Sequence, residues 1–281
     1  MSSASKNRLL LLGISVFVAA AQSSAQSGLA AQRLADIALQ EEKIYKKIAD
    51  DPEFYSADDL ERRVTDLIGA YSAYLMDHPD DVNALILYGK LLRRVEKYNE
   101  AFNAFLKADE LDANIAVVKQ QIGTHLAEAG KGKAALPFYL RAVELEPETA
   151  SYHFGLGTLL HAFSGEFIED GIFTRDALER EMLKAFKTAA SLAPDEFNLQ
   201  MRLGEAYYDL SSPDWKSALL HWNVLRERIG NPLQGEILDL HRARVMGQLG
   251  RYKEAAALAE TVRTPSLQQS KEQVLAEITE H

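Results

Sequence analysis

Three glycines, Gly89, Gly123 and Gly157, recur at an interval of 34 residues, and an interval of that length confines a chain to architectures made of one repeated supersecondary unit. Alignment on these glycines also brings Ala101 onto Ala135, Phe105 onto Tyr139, Ala108 onto Ala142 and Leu111 onto Leu145. Agreement at so many offsets together marks a repeat. The segments KYNEAFNAFLKADELDAN, Lys97 to Asn114, and GKAALPFYLRAVELEPE, Gly132 to Glu148, are two versions of one pattern. A small residue is followed four later by an aromatic, three later by a second small residue, then by leucine and an acidic or proline stop.

This spacing reads as helix. Ala101, Phe105 and Ala108 fall at i, i+4 and i+7 and form one stripe, whose small-large-small order admits a neighbouring helix while the ring fills the gap. The repeat glycine lies on the preceding helix, where that approach would otherwise meet a side chain. Two antiparallel helices cannot bury their apolar faces alone and must stack. Composition agrees, since 47% of the 281 residues are hydrophobic and only 16 glycines and 8 prolines interrupt them. The expected fold class is all-α, an α-α superhelix (solenoid) of stacked antiparallel helix hairpins.

The pattern closely resembles the tetratricopeptide repeat family, because the small residue, the aromatic and the terminal proline recur in register. Carried along the chain, the resemblance implies five repeats. The first runs from Val82 to Ile115, the second from Ala116 to Thr149, and the third begins at Ala150. In the third, the stripe Met182, Phe186 and Ala189, closed by Pro194, arrives about thirteen residues late, which places an insertion at 164–177 (SGEFIEDGIFTRDA). The fourth has Gly204 with Ala218 and Trp222, its turn lengthened at Ser212-Pro213. In the fifth, Ala255 and Ala259 continue the register and Ala243 stands where the glycine was. Pro137 sits just inside a helix, where a shifted start or slight kink is expected and a break is not. Upstream, Leu29 to Ala49 and Ala57 to Asp77 read as helices split by Asp51-Pro52, with Leu67, Tyr71 and Tyr74 echoing the stripe. Residues 26–81 are therefore an N-terminal helical cap or divergent repeat, 82–270 the array of about five repeats, and 271–281 the end of a capping helix that starts near Pro265.

Residues 1–25 read as an export signal. Lys6 and Arg8 precede an apolar stretch, Leu9 to Ala21, and small polar residues follow it. Its 13 residues fall short of the roughly 20 that span a bilayer as a helix, so an anchor is the lesser reading. Cleavage is expected after Ala25, with Ala21 the alternative. Removal takes two cations and leaves the mature chain at −12, from −10 for the whole. The mature protein is expected in a periplasm or outside the cell, without stable membrane insertion. No basic run exists, which argues against nucleic acid as partner. Zero cysteines exclude disulfides, thiol catalysis, thiolate zinc sites and a lipidated cysteine.

Catalytic motifs are missing: there is no G-x-S-x-G elbow, Walker A loop, H-E-x-x-H helix or dinucleotide fingerprint. Gly155-Leu156-Gly157 is a fragment of a glycine-rich loop whose second glycine is the packing residue. His153 and His161, with Glu166, Glu169 and Asp170 nearby, raise the idea of a metal site. Eight residues along one helix leave the two rings about 80° apart, and His153 reads more simply as a half-buried core ring. Glu205 and Asp209 stand at i, i+4 near Arg202 and Tyr208. They could form an acid-base pair, but a solvated or ligand-facing surface is the commoner use of such a pair. No cofactor is expected.

In the tetratricopeptide family the first helix of each repeat lines the concave surface. The resemblance thus implies a binding row made of Ile86, Lys90 and Arg93, then Gln120, Thr124 and Ala127, then Phe154, Thr158 and His161, then Met201, Glu205 and Tyr208, then Leu240, Arg244 and Gly247. Mixed charge with apolar and aromatic members suits an extended peptide. The lysine, asparagine and arginine clamp of the chaperone-binding subgroup is not matched, since Ile86, Gln121, Ser151 and Gly155 stand at most of its positions. Phe167, Ile168, Ile172 and Phe173 in the insertion either tuck against a neighbouring repeat or form an exposed docking patch. Trp222 is expected in the core and Trp215 at the turn. The leading expectation is a non-enzymatic scaffold binding a protein or peptide in the cell envelope. The alternative is an enzyme-associated or small-ligand-binding solenoid with a site around the acidic insertion, and homo-oligomerisation through terminal helices is a further reading.

Overall fold

The computed structural model describes residues 25–279 and contains no strand among them. The expected export signal lies outside the described residues except for Ala25, the first residue of the first helix. The described residues form two compact units, divided between Leu145 and Glu146, just before the third repeat.

In the first unit, helices α1 (Ala25–Asp50) and α2 (Ala57–Asp77) form an antiparallel hairpin, followed by α3 (Val82–Arg94) with α4 (Tyr98–Leu111) and α5 (Ala116–Glu128) with α6 (Gly132–Leu145). Starts are set by side chains that accept orphan amide protons: Ser56 from the Asp59 amide and Asp81 from the Ala84 amide. Leu67, Tyr71 and Tyr74 of α2 are buried with Ile37, Ile44 and Ile48 of α1. The upstream segment is thus a true hairpin carrying the repeat's stripe. A second cluster joins Leu85 and Leu92 of α3, Ala101, Phe105 and Ala108 of α4, and Val118 and Ile122 of α5. Pro137 lies inside α6, which continues through it unbroken.

In the second unit, α7 (Ala150–Ala162) is followed by a short α8 (Ser164–Glu169) and then α9 (Arg175–Leu192). The hairpins α10 (Phe197–Ala206) with α11 (Trp215–Arg228) and α12 (Pro232–Gln248) with α13 (Tyr252–Ala259) come next. A 3-10 turn, Pro265–Leu267, leads into α14 (Gln268–Thr279). Met182, Phe186 and Ala189 of α9 are buried, as are Ala218 and Trp222 of α11.

The repeat glycines sit where the two helices of a hairpin come closest. A Cβ at Gly89 would lie 2.8 Å from the Phe105 ring, at Gly123 3.0 Å from the Tyr139 ring, and at Gly157 2.8 Å from the Phe186 ring. At Gly204 it would overlap the Trp222 ring. Each glycine is therefore paired with the aromatic of its own repeat.

The hairpin turns follow a second rule. Seven residues after the repeat glycine, Glu96 (φ 65°) and Gly130 (φ 72°) adopt the left-handed conformation, and Gly250 (φ 74°) does so seven after Ala243. The next amide closes back on the helix in each case: Lys97 N–H to Leu92 O, Lys131 N–H to Leu126 O and Arg251 N–H to Met246 O, all at 2.9 Å. These are Schellman closures, which consume otherwise orphaned carbonyls. The third and fourth repeats have Ser164 and Ser211 at that place, without a left-handed residue, and both turns are long.

The insertion is correspondingly no loop. The chain continues helically as α8 and closes two turns later with the same device, Gly171 at φ 69° and Ile172 N–H donating to Phe167 O at 2.9 Å. Phe167 is fully buried, with the Phe163 and Phe173 rings 6.3 and 6.1 Å away, whereas Ile172 is 41% exposed. In the fourth repeat, the long turn is held by Glu179 of α9, whose carboxylate accepts from the Ser211 amide (3.0 Å) and hydroxyl (2.9 Å).

Candidate functional site

The first-helix row can be followed within each compact unit. In the first, Ile86, Lys90 and Arg93 on α3 and Gln120, Thr124 and Ala127 on α5 are all half-buried. Both terminal nitrogens of Arg93 donate to Glu128 (3.0 and 2.6 Å), tying α3 to α5. Thr124 donates to the Gln120 carbonyl at 2.8 Å and is left to accept from the Tyr139 hydroxyl at 3.1 Å. Lys90 makes no ion pair among the described residues, and burial, then Arg94, lower its pKa. Nearby, Glu41 of α1 accepts from Tyr71 (2.9 Å) and Arg94 (3.1 Å), and the Arg94 guanidinium lies 4.0 Å from the Tyr45 ring centre. Burial raises the Glu41 pKa against the lowering effect of Tyr71 and Arg94.

In the second unit, Phe154 is half-buried with its ring 6.0 Å from Phe186, while Thr158 is exposed and donates to the Phe154 carbonyl. Met201 and Glu205 are half-buried. His161 Nδ1 stands 3.2 Å from Asp209 Oδ2, the oxygen that accepts from Arg202 at 2.8 Å, and Arg202 in turn covers the Phe186 ring at 4.3 Å. The expected pairing of Glu205 with Asp209 on one helix is not found: α10 ends at Ala206, and Asp209 lies in the turn with its carboxylate held by Arg202 and His161. The lengthened turn of the fourth repeat ends the helix early.

Tyr208 belongs to an aromatic stack. His241 lies between Trp222 (4.4 Å) and Tyr208 (5.9 Å), nearly parallel to both. Burial, then Arg244, push the His241 pKa down to about 4, which favours the neutral ring, and its Nδ1 and the Tyr208 hydroxyl share a hydrogen bond at 3.1 Å. Trp222 is in the core as expected, and Trp215 opens α11 at the turn.

The fifth repeat departs from the expected row. Leu240 is 6% exposed and Gly247 is buried, because α14 packs on α12: a Cβ at Gly247 would meet Ile278 at 3.2 Å. Arg244 is spent on Glu277 of α14 at 2.7 and 3.2 Å. Sequence reasoning placed these residues by register alone and had no signal for the cover that α14 supplies.

His153 is buried, its Nε2–H donating to the Pro147 carbonyl at 2.7 Å, which is the core use of that ring. Among the described residues no cluster of three or more His, Asp or Glu could hold a metal ion, and no helix is long and apolar enough to cross a membrane.

No protein-family model matches the chain, and neither does any curated protein sequence. Among solved structures, it is similar to MamA (41-end) from Desulfovibrio magneticus RS-1, at 19% identity and a TM-score of 0.49 over 68% of this chain and 93% of that one. It is also similar to YrrB, described as a TPR protein with an unusual peptide-binding site, at 19% identity and 0.45 over 68% and 95%. Naa15/Naa10 bound to HypK-THB matches at 15% identity and 0.51 over 89% of this chain, which spans 34% of that one. This last likeness is one of fold. The 34-residue register, the glycine and aromatic paired across each hairpin, and the stacked antiparallel helices make the chain an all-α solenoid of helix hairpins, the fold that its resemblance to the tetratricopeptide repeat family implies.

Proposed function

We propose that this protein is a non-enzymatic scaffold that binds a protein or extended peptide, and that it works as an adaptor in the cell envelope after removal of its N-terminal signal. The observation that carries the reading is the state of the first-helix row. Ile86, Lys90, Gln120, Phe154, Met201 and Glu205 are neither sealed in the core nor fully solvated. Half-buried side chains of mixed chemistry on rigid helices supply pockets to an extended chain at little ordering cost. Asp209 lies beyond the end of α10 and accepts from Arg202, so the pair it would form with Glu205 on one helix face as acid and base is not assembled.

The test is capture from an envelope extract with the mature chain, repeated with Arg93→Glu, Phe154→Ala and Met201→Ala combined. Loss of a specific captured protein from the triple variant, with unchanged helicity, is the expected result. A captured set identical in both would show that the row is not the binding face.

A further inference from the structure

We propose that the second unit carries a site for a phosphate-class oxyanion, formed by α11, α12 and the start of α13 and separate from the first-helix row. A cavity of about 450 Å³ opens there, lined by Asn223, Arg226, Glu227, Arg242, Met246 and Arg251. Three guanidiniums around one cavity run against the prevailing charge of a chain at −10.

Each arginine has a structural partner that uses only part of its fork. Arg226 donates to Asp239 through Nε alone, at 3.2 Å to both carboxylate oxygens. Arg242 donates from Nε to Asn223 Oδ1 and from Nη1 to Asp239 Oδ1, both at 2.7 Å. Arg251 donates from Nε and Nη2 to Glu254 at 3.0 and 2.6 Å. Both terminal nitrogens of Arg226, Nη2 of Arg242 and Nη1 of Arg251 therefore keep their protons unengaged among the described residues, out of the five N–H groups a guanidinium carries. Asp239 is nearly buried and is occupied by two arginines. Glu227 is the lining carboxylate and makes no ion pair among the described residues.

Helix electrostatics account for part of this arrangement only. Arg226 stands in the last turn of α11, where a cation complements the dipole. Arg242 is in the body of α12, and Arg251 precedes the first turn of α13, where the dipole adds to its positive field. Unused guanidinium protons on three lining arginines suit a tetrahedral oxyanion, whose oxygens accept charge-assisted hydrogen bonds from several forks at once. A carboxylate, with two oxygens in one plane, would leave part of that set unmet.

Titration calorimetry of inorganic phosphate into the full chain, at fixed ionic strength in an oxyanion-free buffer, tests the assignment, with acetate and chloride as parallel arms. Saturable phosphate binding is expected. It should weaken about tenfold or more in Arg251→Gln, where a charged hydrogen-bond donor is lost, and tighten in Glu227→Gln. Arg228→Gln, whose arginine pairs with Asp195 and does not line the cavity, should leave it unchanged. No saturable binding, acetate binding as tight as phosphate, or an equal loss in Arg228→Gln would overturn the proposal.

Discussion

Replacing Gly204 by alanine sets two effects against each other in one helix. Alanine is the better helix former by about 1 kcal/mol, so a helical glycine with open space beside it gains stability from the change. At Gly204 the added Cβ would overlap the Trp222 ring. That ring is fully buried and stacked on His241 at 4.4 Å, so it has no free rotamer to retreat into. Overpacking of this kind costs about 1–3 kcal/mol, and the rigid ring puts Gly204 at the upper end, for a net loss of about 2 kcal/mol after the propensity gain. Gly89 and Gly157, with rings at 2.8 Å, should lose less, and Gly123, at 3.0 Å from Tyr139, should fall near zero. The decisive measurement is a double-mutant cycle followed by urea unfolding in far-UV circular dichroism. Trp222→Ala alone costs about 3–5 kcal/mol. In that background Gly204→Ala no longer meets a ring and should stabilise by about 1 kcal/mol, a reversal of sign. If Gly204→Ala is neutral in the native background, or keeps its sign when Trp222 is removed, the pairing of glycine with aromatic is not what positions these helices.

Three further outcomes follow from particular residues. Glu96 holds a left-handed conformation that glycine holds in the second repeat, so Glu96→Gly should raise stability by about 1 kcal/mol in urea melts, and a loss would show that Glu96 is held by something other than the turn. His241 is half-buried, with its pKa lowered to about 4 from an unfolded 6.5. Its contribution is therefore complete above pH 6.5 and is lost as pH falls toward 4, by about 2 kcal/mol at pH 5, a slope that His241→Asn should flatten. Phe167→Ala should cost about 3–5 kcal/mol while Ile172→Ser stays within about 0.5 kcal/mol; equal effects would contradict the burial of one and exposure of the other.

Most of the architecture was legible because the repeat supplies its own internal controls. Gly89, Gly123 and Gly157 could be recognised as packing residues from their common distance to Phe105, Tyr139 and Phe186, allowing for the insertion in the third repeat. Side chains whose role depends on one neighbour were not legible. The seizure of Asp209 by Arg202 and His161 depends on where α10 ends, and no propensity fixes an end to within three residues. The burial of Leu240 depends on α14 lying across it. The sequence located the insertion but not its conformation: Phe163 and Phe167, one turn apart, carry the helix onward until Gly171 can close it. The one sequence signal that would have found this was the missing left-handed residue at Ser164, visible only by comparison with Gly130 and Gly250.

The departures from the repeat come in compensating pairs. Ala243 replaces the glycine of the fifth repeat, and Ala259 replaces its aromatic; both are fully buried. Either change alone would be unfavourable, since a Cβ at 243 facing a ring would clash and a missing ring facing glycine would leave a void. Together they put two small buried side chains at the register positions where other repeats have a ring against a bare backbone. The fifth hairpin then has less apolar bulk of its own than the others, and Val274 and Ile278 of α14 are buried against it. The same logic links the third and fourth repeats. Loss of the left-handed turn residue lengthens both turns, and the extended α9 provides Glu179, which holds the fourth turn through Ser211. A change at one position of this register is thus tolerated when its packing partner changes with it.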